Sequence, residues 1–173
     1  MAEEAKFLEQ YNYINNCLNQ ILGNDNEARK GAEASLNSAK DNDIDSYAKC
    51  LASTLNPNSQ STDQAKNLAA VILRRNISVS DIATSDVLNK GNNENIWKRI
   101  SVESRNYVKN EVLGSLSSAT PISKAITHKV CNLAVEIQGA MHEFEGEAIW
   151  QELLTLVFTC VNEQMDCKVD AGL

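Results

Sequence analysis

Residues 61–77 read Ser-Thr-Asp-Gln-Ala-Lys-Asn-Leu-Ala-Ala-Val-Ile-Leu-Arg-Arg-Asn-Ile, and their periodicity decides the fold class. Ala65, Leu68, Ala69, Ile72 and Leu73 recur at three- and four-residue intervals, which places them on one side of an α-helix. Asp63, Asn67, Ala70 and Arg74 fall along the other side, which ends in the basic pair Arg74-Arg75. Small residues at 65, 69 and 70 let a second helix approach more closely than a leucine-rich face would. The arginines suit the helix C-terminus, where a cation gains roughly 0.3–1 kcal/mol from the dipole. A structural role at the helix end and a binding role on its outer face are both open to them.

The same period recurs on either side of this stretch. Upstream, Phe7, Tyr11, Ile14, Leu18 and Leu22 form one stripe of a helix from about Glu4 to Leu22, ended by Gly23 as a left-handed cap. Asn24, with Glu27 as its capping-box partner, starts a second helix that runs to about Lys40 through Ala28, Ala32 and Leu36. Asp41-Asn42-Asp43 precedes a third helix carrying Ile44, Tyr47, Ala48, Leu51 and Leu55, and the loop at 56–61 stops it. Ser61 or Thr62 then caps the stretch quoted above. A long helix, a turn and a helix with small apolar residues thus occur twice. The two second helices start about 37 residues apart, near the 40–47 of HEAT and armadillo units.

Downstream, residues 78–95 interrupt the period, and Gly-Asn-Asn-Glu-Asn at 91–95 reads as a loop insertion. A fifth helix begins near Ile96 and carries Trp97, Ile100, Tyr107, Val108, Val112 and Leu116. Thr120-Pro121 reads as the cap and first position of a sixth, with Ile122, Ile126, Val130, Leu133, Ala134, Ile137 and Met141 inside and Lys129, Asn132, Glu136 and Gly139 outside. A seventh, from about Glu147 to Asn162, places Trp150, Leu154, Val157 and Val161 on one side and Ile149, Leu153, Leu156 and Cys160 on the next. Such a helix expects burial on both sides. The resulting architecture is all-α, an α-solenoid of HEAT repeats with about three and a half hairpins. Repeat 1 spans about 4–40, repeat 2 about 43–77, repeat 3 about 96–141, and a partial repeat 4 about 147–173. A chain cut inside a fourth repeat would leave an end capable of self-association.

Composition narrows the function. The net charge of −7 over 173 residues argues against a nucleic-acid binder and suits a basic protein partner. The apolar run near 148–161 is broken by Gln151, Glu152 and two threonines, so no membrane span is expected. Met1 is followed by Ala-Glu-Glu, without a basic n-region or an apolar core, so no secretion signal is read there. Five irregularly spaced cysteines fit reduced thiols. His128 and His142 belong to no metal-ligand spacing, Cys131 is expected to pack inward, and the glycines are isolated. No enzyme, metal or cofactor is expected. If the hairpins stack, the outer stripes of the second helices lie side by side on one surface: Lys30, Glu33 and Asn37, then Asp63, Asn67 and Arg74, then Lys129, Asn132 and Glu136. Extended faces of this kind are what solenoids use for recognition.

Four stretches carry a resemblance. Asn-Asp-Asn-Glu-Ala-Arg-Lys-Gly-Ala-Glu-Ala-Ser-Leu at 24–36 resembles the first repeat of the importin-β (karyopherin-β) superfamily. Leu-Ala-Ala-Val-Ile-Leu-Arg-Arg at 68–75 is similar to its second-repeat B helix, nearest to the importin-five branch, as is 122–137 to the third-repeat B helix. Trp150-Gln-Glu-Leu-Leu resembles the opening of the fourth repeat, with Gln151 where the family has proline. The four follow the family order. The resemblance implies the N-terminal segment of a nuclear transport receptor, shuttling between cytoplasm and nucleus, most simply as an importer. It implies that the B helices bind the small GTPase Ran in its GTP form, with Arg74 where related receptors place a basic or amide residue; the nine stripe residues named above are the candidates for that contact. It also implies that protein cargo and nucleoporins engage further repeats toward the C-terminus, and that GTP and Mg²⁺ belong to Ran. The competing reading is a HEAT-repeat scaffold of a vesicle coat or phosphatase complex without Ran binding.

Overall fold

The computed structural model describes residues 2–78, 95–118, 123–146 and 149–170, with backbone alone at 2 and 161–170. The expectations that rest on 91–94, on Thr120, Pro121 and Ile122, on Glu147 and on the side chain of Val161 lie outside the described residues.

Helices α1 (Ala2–Ile21) and α2 (Asn26–Asn42) form a first hairpin, and α3 (Ile44–Thr54) and α4 (Asp63–Ile77) a second. A single turn, α5 (Ile96–Arg99), leads into α6 (Val102–Ser117), which pairs with α7 (Lys124–Glu145); α8 (Gln151–Asp170) follows. No strand occurs among the described residues. The all-α stack is as expected: α3 lies on α1, α6 on α3, and α8 on α6. Beside this row, α4 and α7 adjoin along more of their length than any other two helices do. Ala65, Ala69 and Ala70 of α4 are all fully buried, which is the close approach that small side chains permit. Ala70, expected on the outer side, is therefore an inward residue.

Local chemistry sets the helix ends, and several differ from the sequence reading. Asp25, not Asn24, caps α2, its Oδ1 accepting the N–H groups of Glu27 at 2.9 Å and Ala28 at 3.3 Å. That removes Glu27 from the capping-box position, and its carboxylate pairs with Lys30 at 3.1 Å instead. Gly23 is not left-handed; its constraint is space, since a Cβ there would lie 3.2 Å from the Gln20 carbonyl oxygen. The left-handed cap belongs to Gly146, at φ 69°, whose N–H donates to the Met141 carbonyl and ends α7. Asp43 serves two helices: its N–H donates to the Ala39 carbonyl, and its carboxylate accepts the Ser46 N–H at 3.0 Å.

The fifth helix is not continuous. Ile100 is extended, and Ser101 caps α6 by accepting the Ser104 N–H at 3.2 Å. Ile96, Trp97 and Ile100 are all buried on the near side of this break. Likewise Ser123, accepting the Ile126 N–H at 3.4 Å, caps α7, so the start expected at Thr120 is not its cap.

The core runs without interruption from Ile14 and Leu18 through Leu51, Leu55, Leu73 and Ile77 to Trp97, Ile126, Leu133 and Ile137. Each such side chain contributes about 1.5–3 kcal/mol on burial. A polar ladder, which nothing in the periodicity announced, joins α3 to α6. Asp45 accepts both the N–H and Oγ of Ser101, at 2.8 and 2.7 Å; Lys49 Nζ meets Glu103 at 2.7 Å. Ser53 Oγ lies 2.9 Å from the Tyr107 hydroxyl, and Asn56 Nδ2 donates to Glu111 at 3.1 Å. One rung per turn fixes the two helices in register.

At the far end, α8 is covered on one side only. Trp150 is only 2% exposed, its N–H donating to Gln138 Oε1 at 2.6 Å. Leu153, Leu154 and Leu156 are half-buried, whereas Ile149, Val157, Phe158 and Cys160 face outward.

Candidate functional site

The outward face of α4 begins at Asp63 and rises through Gln64, Asn67 and Val71 to Arg74 and Arg75. Asp63 and the arginines are exposed, and Thr62, whose Oγ1 accepts the Ala65 N–H at 3.2 Å, orients the start of the helix. Asn67 is half-buried, and its Oδ1 is shielded from solvent without a hydrogen-bond partner. An acceptor left in that state costs about 1–3 kcal/mol unless something supplies a donor. Val71, one turn further, is 40% exposed and gives this polar stripe an apolar centre.

The helix beside it, α7, places Lys129 in solvent and Asn132 and Glu136 half-buried. Asn132 Nδ2 shares a 3.3 Å hydrogen bond with His128 Nδ1, one turn before it. Because α4 and α7 adjoin, Asp63, Asn67 and Arg74 and Lys129, Asn132 and Glu136 belong to neighbouring helices of one layer. The third set does not join them in the same way. Lys30, Glu33 and Asn37 are exposed on α2, but α2 rests on α1 and α3, without a comparable contact to α4. Of the three stripes expected side by side, those of α4 and α7 are on adjoining helices, whereas α2 packs on α1 and α3.

Cys131 is a second correction: it is exposed on α7 rather than packed inward. Desolvation, followed by the neighbouring charge of Cys160, pushes its thiol above the ordinary range, away from the thiolate a nucleophile requires. Among the described residues no three His, Cys, Asp or Glu side chains gather in a metal-binding group, and no helix is long and apolar enough to cross a membrane.

Two features of the face escaped sequence reasoning. Val71 was legible in principle, since it stands four residues after Asn67, but Ala70 is three after it and polar-neutral enough to take the place. Lys66 was not legible. It is 5% exposed, and its ammonium donates to the Asn56 and Pro57 carbonyls at 3.0 and 3.1 Å. The lysine therefore holds the loop between α3 and α4.

No curated protein and no solved structure matches this sequence. A model of the family described as Importin-beta N-terminal domain matches residues 32–118, from the middle of α2 to the end of α6. That span is half of the chain and takes in the second hairpin, the α5 turn and the polar ladder, so the chain belongs to the importin-β N-terminal domain family.

Proposed function

We propose that this chain is the Ran-GTP-binding N-terminal segment of a karyopherin-β nuclear transport receptor, acting in protein import. The observation that carries the reading is the outward face of α4 on a chain of this family, an exposed Val71 one turn before a solvent-facing Arg74, on a helix adjoining the one that bears Asn132 and Glu136. Such a face offers an apolar contact flanked by a cation, the requirements of a protein surface rather than of a small substrate. In this reading the receptor performs no catalysis and holds no cofactor, and the nucleotide belongs to the GTPase. The protein shuttles between cytoplasm and nucleus, and cargo and nucleoporins engage other repeats of the receptor. The nearer likeness to the importin-five branch rests on the wording at 68–75 and 122–137 alone.

The test is nucleotide dependence. Immobilised chain should retain Ran loaded with a non-hydrolysable GTP analogue and not Ran-GDP. Arg74→Ala should weaken that binding by about one to two orders of magnitude, the worth of a charge-assisted hydrogen bond of roughly 1.5–3 kcal/mol. Its thermal stability should move little, since the dipole contribution at the surface is at most about 1 kcal/mol. Equal retention of both nucleotide states would remove the transport reading and leave a scaffold of a coat or phosphatase complex.

A further inference from the structure

The corner where α4 meets α5 collects four cations in a chain whose net charge is −7. Arg74 and Arg75 occupy the last turn of α4, and Lys98 and Arg99 the end of α5. Two hydrogen bonds from one side chain hold these ends together: Asn95 Nδ2 donates to the Ile77 carbonyl at 2.6 Å, and Asn95 Oδ1 accepts the Trp97 N–H at 2.8 Å. Burial of Ile96, Trp97 and Ile100 then forces Lys98 and Arg99 outward, and all four cations are exposed. Arg74, Arg75 and Arg99 make no hydrogen bond or ion pair with any described residue.

Two carboxylates among the described residues near this corner are already committed. Glu145 accepts the Trp97 indole N–H at 2.6 Å and pairs with Arg105 at 3.3 Å, while Asp45 holds Ser101. Arg105 reaches the Lys98 carbonyl at 3.3 Å and so braces the same turn from beneath. Dipole stabilisation at the end of α4 accounts for one arginine or two, but not for exposed cations on the separate α5. Charges grouped within a Debye length of about 10 Å act together on an incoming anion.

We propose that the α4–α5 corner is a docking site for a short acidic segment of a protein partner, engaged by Arg75 and Arg99 with Arg74 beside them. An acidic peptide fits better than a nucleic acid. The patch is confined to the ends of two helices, and an anionic chain extending beyond it meets a protein of net negative charge, whereas nucleic-acid binding needs a basic stripe tracking a backbone. Arg74 is shared with the face assigned to the GTPase, whereas Arg75 and Arg99 lie outside it, so the variants that test this site leave the GTPase residues unchanged.

The experiment follows the fluorescence anisotropy of a labelled peptide of alternating glutamate and serine, titrated with the 173-residue chain at low and physiological salt. Binding should weaken with salt. It should fall about tenfold or more in the double variant Arg75→Glu, Arg99→Glu, which inverts both contacts. A second double variant, Lys109→Glu with Lys124→Glu, makes the same change in net charge elsewhere and should lose less than about threefold. Circular dichroism of each variant establishes that it is folded. Equal loss in the two variants would show that only net charge matters and would overturn the site. Tighter binding of a labelled single-stranded oligonucleotide, with the same dependence on Arg75 and Arg99, would overturn the assignment to a peptide.

Discussion

Asn95 donates to the Ile77 carbonyl and caps α5 at once, while itself only 4% exposed, so one amide joins the second hairpin to the third. Asn95→Ala removes both bonds and should cost about 1–3 kcal/mol in urea denaturation. Asn95→Asp keeps the cap but sets a buried carboxylate oxygen against the Ile77 carbonyl, and should cost at least as much at neutral pH. Lys66 poses the same question for a charge. Lys66→Met preserves the buried stem yet strips the Asn56 and Pro57 carbonyls of their donor, for an expected loss of about 1–3 kcal/mol. A variant as stable as the parent would mean that water satisfies those carbonyls. Neither role was visible in advance, because Asn and Lys are ordinary surface residues whose partners here are backbone groups of other segments, nine to eighteen positions away.

The α3–α6 ladder makes helix register depend on polar groups, and Asp45 gives it a pH dependence. Burial pushes the Asp45 carboxyl up, but hydrogen bonds from Ser104 and Ser101 and the charge of Lys49 outweigh it and hold the group below its ordinary value. A carboxylate depressed in the folded state contributes stability above the unfolded pKa of about 3.9, and that contribution disappears as pH falls through the lower folded value. Asp45→Asn should therefore flatten the acid limb of the stability curve below about pH 4 and lower stability at neutral pH. An unchanged acid limb would assign the ladder no role in folding. Packing between α4 and α7 supplies the apolar counterpart. Ala69 is fully buried on a helix of small residues, so Ala69→Leu should overfill the contact and cost about 1–3 kcal/mol, with a matching fall in melting temperature. The helices themselves were legible from their three-and-four spacing. Their ends were not, because Asn24 or Asp25, and Thr120 or Ser123, are chemically equal candidates until a neighbour selects one.

At the scale of the whole molecule, α8 leaves Ile149, Val157 and Phe158 between 50% and 59% exposed after burying Trp150. An apolar strip of this kind favours association as concentration rises. Sedimentation should show a concentration-dependent shift that Phe158→Glu removes, and a monomer at every concentration would rule the strip out as a contact. Although Leu22, expected inward, is exposed, the sequence alone determined the all-α class, the hairpin order and most inward residues of α1, α3, α4 and α7, because amphipathic periodicity is a local property that survives any arrangement of neighbours. It also marked Asp63, Asn67, Arg74, Lys129, Asn132 and Glu136 as outward, and each is at least partly accessible. Only the tertiary structure decided which stripes adjoin. It set α7 against α4 and left α2 on α1 and α3, buried Ala70, turned Cys131 outward and broke the fifth helix at Ser101. These outcomes depend on which side chains meet across helices distant in sequence, and helical spacing carries no information about that.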